Sequence, residues 1–111
     1  MNRQEIFTQV ATHLLTQKKK STNGKFCQYR GPNGTSCAVG CLISDEFYDR
    51  SMEGETVEDI LRSYVLPDYM KDAKNLLCDL QRIHDWDNAR TWKKMLTQYA
   101  SKNHLEMPIL K

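Results

Sequence analysis

Apolar residues recur at helical spacing towards both ends of the chain and lose that spacing between them. In the opening segment Ile6, Phe7, Val10, Ala11, Leu14 and Leu15 form one stripe, and Asn2 with Glu5 three positions on has the form of a capping box. A helix is expected from there to about Lys18. Thr56 with Asp59 marks a second start, continued by Val57, Ile60, Leu61 and Tyr64. After Pro67 a long helix is expected from about Asp68 to His84, with Met70, Ala73, Leu77, Leu80 and His84 in its stripe and Leu76 and Ile83 widening it. Asp87 can cap a last helix through Ala89, Trp92, Leu96, Tyr99 and Ala100, with Asn103 as its stop.

The stretch between the first two helices has a different texture. Lys18-Lys19-Lys20-Ser21-Thr22-Asn23-Gly24-Lys25 is basic and polar and reads as a solvated loop. Phe26 to Arg30 then alternates, and Gly31-Pro32-Asn33-Gly34 is strong turn chemistry, so a short β-hairpin is expected. From Cys37 to Ile43 every residue is apolar or small, which marks a buried segment without deciding between helix and strand. A short helix is preferred, because Thr35 or Ser36 can cap it and its side chains are too small to cover much sheet. Small residues at 37, 38, 40 and 41 would let another element approach closely. The expected architecture is therefore α+β and mostly helical, four to five helices around one short β-hairpin, in a single domain spanning 1–111.

Composition narrows the class without naming a reaction. With 111 residues, 40% hydrophobic and 27% charged, the chain falls in the ordinary globular range, which excludes wholesale disorder, a collagenous repeat and a membrane span. The net charge of +2 hides a segregation. Residues 1–30 carry six basic and one acidic side chain, residues 31–87 five and twelve, and residues 88–111 five and one. No apolar run of signal-peptide length opens the chain, so a cytoplasmic location is expected and the four cysteines are expected to be reduced. Asn33-Gly34-Thr35 then signifies a turn rather than a glycosylation site. Gly31 to Ser36 lacks the spacing of a phosphate loop, and the acidic stretch from Asp45 to Asp59 lacks that of a calcium loop, so no cofactor is expected.

Four groups of residues are candidates for chemistry or binding. Cys37 at a helix start would sit near the positive end of the helix dipole, and His84-Asp85 could supply a base, the parts of a thiol enzyme. The plainer reading makes Cys37 a small core residue and His84 a satisfied histidine in an apolar stripe. Cys27, Cys37 and Cys41, completed by Cys78 or by His13, His84 or His104, could hold zinc, although a single C-x3-C is poor zinc spacing. Cys78, a turn away from Lys74 and Arg82, would be a thiol in a positive setting or part of a second packing face. For macromolecules, Lys18, Lys19, Lys20, Lys25, Arg90, Lys93 and Lys94, with Lys102, suit nucleic acid if the basic ends meet, and Trp92 or Tyr99 could stack. Asp45, Glu46 and Asp49 suit a basic partner.

Tyr29-Arg30-Gly31, Ser36-Cys37-Ala38-Val39-Gly40-Cys41-Leu42-Ile43, Met52-Glu53-Gly54 and Leu80-Gln81-Arg82-Ile83-His84-Asp85 together resemble a family of small uncharacterised proteins of tailed bacteriophages and prophages. The resemblance implies a small accessory protein made in an infected bacterium, of a kind that binds a host protein, and it implies no catalytic residue. The leading expectation is a non-enzymatic protein that binds and inhibits or redirects a host macromolecule. The alternatives are a thiol enzyme using Cys37 and His84 and a nucleic-acid-binding protein using the basic ends.

Overall fold

A computed structural model describes residues 1–24 and 26–109. Five α-helices follow in order: α1 Arg3–Gln17, α2 Val57–Ser63, α3 Asp68–Asp72, α4 Lys74–Trp86 and α5 Trp92–Lys102. The capping box at α1 is present, with the Asn2 side chain accepting from the Glu5 N–H and the Glu5 carboxylate from the Asn2 N–H. Lys18 closes the helix in the left-handed region. The stripe Ile6, Phe7, Val10, Ala11 and Leu14 is buried as one face.

Burying that face determines what packs on it. α1 lies against α5, α4 and the 3-10 turn Gly40–Leu42, and the Phe7 ring stacks on Tyr99 at 6.3 Å. The Gln4 side chain donates to the Glu106 carbonyl and accepts from its N–H, so the start of α1 meets the chain beyond α5 and the two helices run antiparallel. α2 packs on α3 and α4, and all five helices contribute to one core cluster.

The expected β-hairpin does not exist, and among the described residues there is no strand, so the fold is helical rather than α+β. The turn itself forms: Asn33 and Gly34 take positive φ, and Arg30 and Ser36 make an isolated bridge that closes it. Glu53 prevents the ladder from growing. Its carboxylate accepts the Tyr29 and Arg30 backbone N–H groups at 2.9 and 3.0 Å, so a side chain takes the Tyr29 donor that continuation of the ladder would use. Beyond Ser36 the buried run makes the 3-10 turn Gly40–Leu42 instead of a short α-helix. Gly40 is required there, because a Cβ would stand 2.0 Å from the Tyr29 carbonyl oxygen. Small residues in this run do allow close approach, and the element that approaches is the Tyr29 backbone.

Two helix boundaries differ from expectation. The helix after Pro67 breaks at Ala73, whose ψ of 26° separates α3 from α4. The last helix is entered through a 3-10 turn, Ala89–Thr91, capped by Asn88 rather than Asp87, and it stops at Asn103 as expected. No described helix is long and apolar enough to cross a membrane.

Candidate functional site

Most of the buried polar chemistry converges on one face of α4. Gln81, His84 and Asp85 are three or four residues apart or adjacent, so all reach the loop that connects α1 to the 3-10 turn. His84 is 1% exposed and stacks on Trp92 at 5.4 Å. Its Nε2 accepts the Ser21 backbone N–H at 3.0 Å, which places the ring proton on Nδ1, where it is donated to Asp85 Oδ1 at 2.8 Å. Gln81 uses its whole amide. Its oxygen accepts from the Val39 N–H at 3.0 Å, and its NH2 donates to Cys27 Sγ and to Asp85 Oδ1, both at 2.9 Å. Lys20 Nζ donates to the Asp85 carbonyl near the end of α4.

Cys27, His84 and Asp85 thus form a cluster whose ligand atoms lie within 4.8 Å of one another. The histidine and aspartate meet Cys27, with the Cys37 thiol beside it. Cys37 lies at no helix start. It is fully buried, and its sulfur accepts the Gly40 N–H at 3.3 Å.

The cluster is poorly arranged for nucleophilic chemistry. The neighbouring Cys37 thiol, together with burial, pushes the Cys27 thiol far up from its ordinary value, outweighing His84, which lowers it. Burial pulls His84 towards neutrality, yet the bonds to Asp85 and Cys27 raise it above its ordinary value. For Asp85, burial alone would raise the carboxyl, but bonds from His84, Cys27 and Gln81 hold it below the usual range. Both imidazole nitrogens are occupied. A base acting through Nε2 must first displace Ser21, and a metal bound at Nδ1 would require a proton on Nε2 that faces the Ser21 N–H.

The other candidates fall in separate places. Cys41 donates to the Ala38 carbonyl at 3.1 Å and is pushed up to about 12 by burial, and it is not part of the Cys27 cluster. Burial raises the Cys78 thiol, and Glu58 and Asp79 add to that against Lys74 and Arg82, so the setting does not favour a thiolate. Asp45 pairs with Arg30 at 2.7 Å, Asp49 caps the turn Arg50–Met52 through Ser51, and Glu46 is exposed. Ser21 bonds His84, which stacks on Trp92 at the start of α5, so Lys18, Lys19 and Lys20 lie on the same side of the protein as Arg90, Lys93 and Lys94. Lys25 lies outside the described residues.

The outward face of α4 carries a second feature, which sequence reasoning missed. A groove of about 360 Å3 runs between α4 and residues 54–58 at the start of α2, with Cys27, Tyr29 and Gln81 in its lining and Phe26 and Trp86 beside them. Trp86 is 78% exposed and Phe26 60%. The Arg82 guanidinium lies 5.4 Å from the Trp86 ring centroid. Glu53, which also accepts from Tyr48 Oη at 2.6 Å, and Gln81 are the other residues that sequence reasoning did not single out. The one available signal was their place in the quoted phage-like segments.

No protein-family model, curated protein or solved structure matches the chain.

Proposed function

We propose that this is a phage-type accessory protein of the bacterial cytoplasm that binds a host macromolecule without chemistry, and that it does so through the groove beside α4. The observation that carries the reading is the exposure of Trp86, with Phe26, at a groove whose lining residues Gln81 and Asp85 are hydrogen-bonded to the protein interior. Exposed aromatic rings on a fixed backbone are the usual anchors of protein interfaces. The same network supports binding over thiol catalysis, since it occupies both nitrogens of His84, while the Cys37 thiol and burial push the Cys27 thiol up. The test is capture from bacterial lysate at low salt by the wild type and by Trp86→Ala. A partner retained by the first and lost by the second supports the reading; no partner, or equal retention, refutes it.

A second reading, contact with nucleic acid, is favoured by one observation. Ser21, next to the lysine run, bonds His84, and His84 stacks on Trp92 at the start of α5, so the two basic segments lie on the same side of the protein. It expects a shift in DNA or RNA mobility that weakens steeply with salt and is lost on replacing Lys18, Lys19, Lys93 and Lys94 by Glu. Absence of a shift at low salt refutes it.

A further inference from the structure

The chemistry around the α4 groove selects a class of occupant. Glu55, Glu58 and Asp85 line it against the single guanidinium of Arg82, so its charge is negative in a protein whose net charge is positive. His84 and Gln81 both bond the Asp85 carboxylate at Oδ1, Cys27 bonds it as well, and the side chain is still 31% exposed. Glu58 is exposed. Trp86 already carries one guanidinium near its ring, that of Arg82, and most of its remaining surface faces solvent. An aromatic face beside carboxylates suits a planar, weakly hydrated guanidinium, which stacks and forks at once; a compact ammonium does only the second. The same carboxylates repel phosphate, so a nucleic acid held at the basic end is not the occupant here.

We infer that this groove receives an arginine side chain presented by a basic segment of the partner protein, stacked on Trp86 and paired with Glu58 and Asp85. The inference rests on the binding reading above and specifies its partner. Charge complementarity of this kind speeds encounter and selects the partner more than it deepens affinity.

The experiment is a titration of the full-length 15N-labelled protein, followed by NMR. The probes are acetylated Gly-Arg-Gly-Arg-Gly amide, its lysine and glutamate counterparts, and spermidine. The arginine peptide is expected to shift the Trp86 indole N–H and the amides of Glu58, Arg82 and Asp85. The lysine peptide should shift them less at equal concentration, and the glutamate peptide not at all. Glu58→Lys should abolish the shifts, and Asp68→Lys, exposed on α3, should leave them intact. Silence with the arginine peptide, or equal shifts from the glutamate peptide or from spermidine, overturns the inference. If the arginine peptide is silent while Trp86→Ala still releases the lysate partner, the arginine claim falls and the binding reading stands. A lysate that yields no partner removes the reading itself.

Discussion

α4 presents two faces built from neighbouring residues of one short segment, and they follow opposite rules. On the inner face, the amide of Gln81, both nitrogens of His84 and Oδ1 of Asp85 all have partners, and they tie the helix to Ser21, Cys27 and Val39. On the outer face, Trp86 is 78% exposed with the Arg82 guanidinium near its ring, and across the groove Glu58 of α2 is exposed. Residues that have the chemistry of a thiol hydrolase are thus used up in holding the fold, whereas an indole ring and a carboxylate are left open. The presence of Cys, His and Asp together is therefore weak evidence of catalysis until the hydrogen bonds of the histidine have been counted.

The largest effects are expected from breaking the inner side. Gly40→Ala drives a Cβ into the Tyr29 carbonyl and should cost at least about 3 kcal/mol or prevent folding, read from urea unfolding. His84→Ala leaves a cavity under Trp92 and strips the Ser21 N–H of its acceptor, and should cost about 3 kcal/mol in the same assay. Next in size is the pH dependence of Asp85. A carboxyl held below its unfolded value contributes stability that is fully present above about pH 4 and is lost as the pH falls through the folded value. Unfolding measured from pH 6 to pH 2 should show a steeper loss in the wild type than in Asp85→Asn. Cys27 should react with iodoacetamide at pH 7 more slowly than the same cysteine in urea, because its thiolate is disfavoured. The smallest effect sharpens the contrast: Trp86→Ala, on the open face, should change stability by no more than about 0.5 kcal/mol.

Local signals were legible in the sequence and long-range ones were not. The Asn2–Glu5 capping box, the Thr56 cap and the Asn103 stop each depend on residues within a turn of one another, and each stands where the pattern puts it. The hairpin failed because its fate depended on a carboxylate more than twenty residues downstream: Glu53 takes the Tyr29 and Arg30 N–H groups, and no turn or alternation rule registers that. The break at Ala73 has no glycine or proline to announce it. His84 fits the satisfied core histidine that its apolar stripe suggested. Which cysteine it would meet depended on the path of the loop, and the structure selects Cys27. Gln81 stayed hidden because a glutamine on a helix reads as surface, yet this one is buried and fully bonded. Trp86 lies beside the apolar stripe of α4, and helical periodicity does not distinguish an exposed ring there from a buried one.

The division between a sealed inner face and an open outer one is tested most directly by lysate capture with three proteins side by side: the wild type, Trp86→Ala and Cys37→Ser. Cys37 is fully buried and outside the groove lining, so Cys37→Ser should retain the wild-type partner, and Trp86→Ala should lose it while remaining folded. Loss with a folded Cys37→Ser and retention with Trp86→Ala would contradict it.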